Sequence, residues 1–220
     1  VYWLLRWLVA LALLSFAFAA LRAAVSPLLS AEGWGTLARQ AAVWIAAAAF
    51  VFRWVLSRFG SGDPLEFIDT LEHELTHAIV GTLTFAPPVS LTATLRGGGE
   101  VELKRSNPLA ALAPYCLPLY AAVLALLTLV LRDDWARYGR YAVAFLLGSF
   151  AWRLLREFHF GQTDFRAFGF VFSMVFIAAA LPLCLLAVTD VSHLADAPWR
   201  EAGHRFMEQG EWLWSKMMKR

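Results

Sequence analysis

The chain has 220 residues, 60% hydrophobic and only 16% charged, with a mean hydropathy of +0.57, a composition that excludes an ordinary soluble enzyme. A net charge of +2, from 19 basic and 17 acidic residues with no basic block, excludes nucleic acid as a partner. The expected fold is an all-α polytopic membrane protein of about six transmembrane helices, one membrane domain using nearly all of the chain.

The first hydrophobic segment runs from Val1 to about Val25, with Arg6 and Arg22 bracketing it and Ser26-Pro27 ending it. Its Ala-rich end, Phe16 to Ala20, resembles a signal-peptide cleavage region, but the chain retains it and it reads as an uncleaved span. The second span covers about Ala41 to Leu56, with Arg39, Arg53 and Arg58 at its margins. Residues 1–62 are therefore an N-terminal pair of helices, ahead of a core over 63–189 and a tail over 190–220.

The third span, Asp63 to Phe85, contains His73-Glu74-Leu75-Thr76-His77, a His-Glu-x-x-His. At 3.6 residues per turn the two imidazoles lie one above the other and can share one Zn²⁺. Glu74 projects beside them, where it can take a proton from water. Asp63-Pro64 reads as an N-cap followed by proline in the first helical position, with Glu66 completing a capping box. Chance matches to this pattern occur in soluble helices. In a segment apolar enough for a bilayer, a bare ionisable cluster is expensive, and metal binding is the better explanation.

After Pro87-Pro88, residues Val89 to Leu95 and Glu100 to Lys104 alternate apolar with polar around Arg96-Gly97-Gly98-Gly99. That is a small β-hairpin directly after the metal helix. It is either a connector or an edge on which an extended peptide can pair. Pro108 to Leu131 is the fourth span, bent by Pro114 and Pro118, with Tyr115 either lining a cavity or packing. Tyr138 to Leu155 and Phe168 to Val188 are the fifth and sixth.

Between the last two lies a polar break, Arg156 to Arg166. A catalytic zinc site has three protein ligands and an open fourth position, so the two histidines need a third partner. Asp164 is the first choice, His159 the second and Glu157 the third. Thr163 is placed to cap the sixth helix with Asp164 in its first turn; the plainer alternative is a helix-start carboxylate beside Arg166. Asp69, one turn before His73, either holds a ligand imidazole from behind or is solvated. With six spans, hairpin and break fall on the same side of the membrane, and His77 is nearer that end of its helix.

The tail from Ala195 to Arg220 reads as an amphipathic C-terminal helix lying in the headgroup region, docking on a partner or folding back on the bundle. His193 and His204 belong to that polar end rather than to the site. Cys116 and Cys184 fall in apolar spans as inert thiols. Basic residues in the short loops number eight against seven across the two sides, which leaves orientation open.

HELTHAIVG (His73 to Gly81), the hairpin after it and QTDF (Gln162 to Phe165) together resemble the site-2 protease family of intramembrane zinc metalloproteases, in its compact bacterial form. The resemblance covers about Asp63 to Leu185. Fuller family members carry the third ligand in Leu-Asp-Gly after an Asn-Pro element; here Asp164 lies between Thr163 and Phe165, and Asn107-Pro108 is in another span. The resemblance implies a zinc endopeptidase of the bacterial inner membrane, with its metal toward the cytosol. It implies Zn²⁺ on His73, His77 and Asp164, and Glu74 as the general base toward a peptide bond of a membrane-embedded substrate. Gln162, Thr163 and the bent fourth span are candidate walls of the cleft that admits water, and no residue is assigned to substrate binding.

Two other functions compete. A non-catalytic relative would scaffold or regulate a larger membrane complex, with Trp199, Trp212 and Trp214 of the tail as partner surface. A metal transporter would string ionisable residues along several helices, whereas here they concentrate at one depth, so it ranks last.

Overall fold

In a computed structural model of the chain, residues 2–25, 41–59, 65–94, 98–105, 107–159 and 161–192 are described, with 204, 206–208, 211 and 215 of the tail. The order is α1 (Tyr2–Val25), α2 (Ala41–Phe59), α3 (Glu66–Leu83), β1 (Pro88–Ala93) and β2 (Gly99–Leu103). Then follow α4 (Pro108–Leu112), a 3₁₀ turn (Ala113–Tyr115), α5 (Leu119–Thr128), α6 (Asp133–Glu157), α7 (Thr163–Phe168) and α8 (Phe170–Val191). The molecule is mostly helical, with one small antiparallel sheet.

Among the described residues, Ala41–Arg58 in α2 and the whole of α8 are long and apolar enough to cross a membrane. The stretch Pro108–Tyr115 with α5 makes a third if this pair, bent by 80°, is one span. Length and composition alone do not reach the expected six. The apolar run of α1 is shorter, Trp7–Arg22. α3 carries Glu66, Asp69, Glu72 and Glu74, and α6 carries Arg137, Arg140, Arg153 and Arg156. The bend falls between Pro114 and Pro118, as the two prolines predict.

α1 packs along α8, and α2 along α6. Small residues set the second contact: a Cβ on Gly148 would stand 2.1 Å from the carbonyl oxygen of Ala46, so only glycine permits that approach. One apolar cluster joins Ala10, Leu112, Tyr115, Cys116, Phe165 and Phe172; both cysteines are free thiols. A second joins Ala121, Ala125, Val143 and Val188.

α3 begins at Glu66 with Leu65 in the capping position and no side-chain cap. The expected cap at Asp63-Pro64 lies outside the described residues; measured from Glu66, His73 lies about 10 Å along the helix. The hairpin follows as expected, pairing Leu91 with Val101 and Ala93 with Gly99, with an irregularity between Pro88 and Ser90. Arg96 and Gly97 of its turn lie outside the described residues. Most of the amphipathic tail does too, Trp199, Trp212, Trp214 and His193 included. Phe206 is described, and its ring meets that of Phe16 edge-on at 5.6 Å.

Three of the four acids of α3, Glu66, Asp69 and Glu72, are matched from neighbouring helices. Arg53, buried in α2, forks onto both carboxylate oxygens of Asp69. Asp69 is therefore neither solvated nor behind an imidazole: a guanidinium holds it. Arg153, 1% exposed, pairs with Glu72 at 3.3 Å, and Arg156 reaches Glu66 at 3.4 Å. Glu72 also accepts the backbone N–H of Tyr120 at 2.9 Å, which fixes the start of α5 just after the bend. Replacing Arg53 by Met strands Asp69 without its forked partner and should destabilise the fold by about 3–5 kcal/mol. Thermal melts in detergent check this, and Arg53→Met with Asp69→Leu should recover most of the loss.

Candidate metal centre

The site is assembled on α3. His73 and His77 are four residues apart, and their ring centroids lie 4.9 Å apart. Each ring is fixed from behind by an acceptor. The Nδ1 of His77 donates to the Ala110 carbonyl at 2.8 Å, and the Nδ1 of His73 donates to Glu157 Oε2 at 3.2 Å. A carbonyl and a carboxylate only accept, so each ring carries a proton on Nδ1 and, in its neutral form, offers the Nε2 lone pair.

The Ala110 carbonyl is available for a local reason. Residue 114, whose N–H would close an α-helical bond onto it, is proline. The short helix bearing Ala110 is also anchored. Asn107 caps it by accepting the Leu109 N–H at 2.9 Å and donates to Thr84 Oγ1 at 2.5 Å, tying the end of α3 to the start of α4.

Asp164 comes from the first turn of α7, a separate six-residue helix that ends at Gly169 before α8 begins. Gln162, not Thr163, holds the capping position, and no side chain caps the helix. Asp164 Oδ2 lies 3.9 Å from His73 Nε2 and 3.8 Å from His77 Nε2. It accepts the hydroxyl of Tyr115 at 2.9 Å, so this buried tyrosine, edge-on to His73, both packs and serves the site. Burial raises the Asp164 pKa, but the His73 and His77 imidazoles and the Tyr115 hydroxyl outweigh it and hold the group below its ordinary value.

The three ligand atoms of His73, His77 and Asp164 lie within 4.8 Å of one another. A tetrahedral Zn²⁺ with bonds of about 2.0–2.1 Å keeps its ligands about 3.4 Å apart. The donor set is thus open by between a few tenths of an ångström and about 1.4 Å, within reach of side-chain rotation. Two imidazole nitrogens and one carboxylate are a fitting set for zinc, and the outward hydrogen bonds on both rings add to the fit.

Glu74, buried, lines the same cavity of about 320 Å³ as the three ligand residues, Gln162, Thr163 and β2. A Cβ on Gly99 would come within 2.6 Å of Glu74 Cγ and 2.7 Å of its Oε1, so the strand lies directly over this carboxylate. The hairpin and the 156–166 break therefore do border one cavity.

The other third-ligand candidates fall elsewhere. His159 is exposed, and its Nδ1 accepts the Gly161 N–H at 3.2 Å. Glu157 meets His73 at Nδ1, the far side of the ring from Asp164, and so serves the ring rather than sharing its Nε2 face. The matched charges were not singled out from the sequence. Their signal is the spacing: Glu66 and Glu72 on α3 face Arg156 and Arg153 on α6, and Asp69 faces Arg53 on α2.

Purified protein should carry about one zinc per chain. Measured by plasma mass spectrometry, that content should fall by at least tenfold in His73→Ala and Asp164→Ala and stay unchanged in His159→Ala.

Comparison with protein-family models, curated proteins and solved structures finds no match, so function is read from the site itself.

Proposed function

We propose that the protein is an intramembrane zinc metalloendopeptidase, a multi-pass protein of a bacterial inner membrane that hydrolyses peptide bonds of membrane-embedded or membrane-proximal substrates. The single observation that carries this is the placement of Glu74 in the same cavity as His73, His77 and Asp164, with both Nε2 atoms turned toward the Asp164 carboxylate. The apolar spans α2 and α8 support the membrane setting.

His73, His77 and Asp164 would hold the ion. Once bound, zinc supplies Lewis acidity toward a water and toward the scissile carbonyl. Glu74 takes the proton of the attacking water and returns it to the leaving amine, the work of a general base and then a general acid. Gln162 and Thr163 give the cavity a polar wall, which water needs in order to enter. A helical substrate shields its own peptide bonds, so it must be extended before attack. β2 lines the cavity and has one strand partner, β1, among the described residues, so its other edge can hold such a segment by backbone hydrogen bonds.

Glu74→Gln should lower cleavage of a membrane-embedded reporter by about 10²–10⁴-fold while zinc content stays at the wild-type level. A variant that still cleaves removes Glu74 from the mechanism. If Glu74→Gln leaves the cellular phenotype intact and deletion of the tail abolishes it, the protein is a non-catalytic subunit of a larger complex. Gly99→Ala should lower cleavage by about 10²-fold, because a methyl group there displaces the Glu74 carboxylate.

A further inference from the structure

Glu157 closes α6, and it makes two bonds in opposite directions. Its carboxylate Oε2 takes the Nδ1 proton of His73 at 3.2 Å. Its backbone carbonyl takes the side-chain amide of Gln162 at 2.9 Å. Gln162 stands two residues before Asp164 and holds the capping position of α7. One residue therefore touches the ring of the first ligand and the segment that delivers the last.

The end of α6 is itself set against α3. Arg153 pairs with Glu72, Arg156 with Glu66 and Glu157 with His73, so three polar contacts fix its register. A helix anchored in this way can present a carboxylate to one imidazole edge with little freedom to wander.

We infer that Glu157 is a positioning residue of the metal centre. Its carboxylate sets the tautomer and orientation of His73, while the backbone carbonyl at the same position, which any residue would offer, holds Gln162 near Asp164. This rests on the metal reading given above and assigns Glu157 no place among the ligands. Its carboxylate meets Nδ1, whereas Asp164 faces Nε2.

The experiment is a zinc competition titration against a chromophoric chelator on the full-length protein in detergent. Wild type, Glu157→Gln, Glu157→Ala and His159→Ala are compared. Glu157→Ala should bind about 10–100-fold more weakly while still reaching wild-type stoichiometry at saturation, as expected when the outer partner of a ligand histidine is lost. Glu157→Gln keeps an acceptor oxygen and should recover part of that loss; His159→Ala should match wild type. Cobalt substitution adds a spectroscopic reading: the visible bands of Glu157→Ala should keep their tetrahedral intensity.

Unchanged affinity in Glu157→Ala overturns the inference and leaves the metal reading standing. So does Glu157→Gln binding as weakly as Glu157→Ala, which would leave only a loss of packing or charge. A fall in saturating stoichiometry like that of Asp164→Ala would make Glu157 a ligand and overturn it too. A wild-type protein that binds no zinc overturns both readings.

Discussion

Charge taken out of water must be matched by opposite charge or by hydrogen bonds, and that constraint governs this structure. α3 is an acidic helix in an apolar chain. It is made acceptable by guanidinium groups reaching in from both sides, Arg53 from α2 and Arg153 and Arg156 from α6. These pairs fix the rotation of α3 about its own axis. With Asp69 and Glu72 committed to arginines, His73 and His77 are turned toward the hairpin and α7. The placement of the two imidazoles is thus a consequence of charge matching one turn away.

The same logic assigns work to the prolines. Pro114 cannot donate to Ala110, and the carbonyl it leaves idle holds the His77 ring. Pro118 precedes α5, whose first free N–H groups need an acceptor, and Glu72 provides one at Tyr120. The break in the apolar segment is therefore bound to α3 at two points. One is a backbone oxygen given to a histidine; the other is a carboxylate given to a helix start.

Much of this was legible in the chain, and unequally so. The helix bearing His73 and His77 and the hairpin follow from periodicity and turn residues, which are local. The bend at Pro114 and Pro118 is likewise a property of two residues. The convergence of Asp164 with the histidines is reachable because a zinc site needs a third protein ligand, which points to the polar break. Less was visible wherever long side chains cross between helices. Arg53 reads as a residue at a span margin and Arg153 falls within the fifth span, yet both are buried, because the acids that receive them lie on another helix. Asp69 looked like a partner for His73 because the two share a helix face; Arg53 claimed it. Glu157 reads as a third candidate ligand because sequence gives a carboxylate's position but not which ring nitrogen it meets. The count of spans was read from hydropathy, and α3 and α6 are too charged to pass on that measure alone.

α7 has six residues, too few to stand as a helix by itself. Its Phe165 is fully buried among Tyr115, Phe158 and Phe170, whose rings lie 4.7 to 6.4 Å away. Phe165 and Asp164 are adjacent in sequence, so seating one aromatic ring delivers the carboxylate. At the far end Gly169, with φ at +89°, lets the chain swing directly into α8. The Asp164 carboxylate is thus placed by a ring in a socket and a swivel behind it, and its reach is measured from that socket rather than from the long helix that follows.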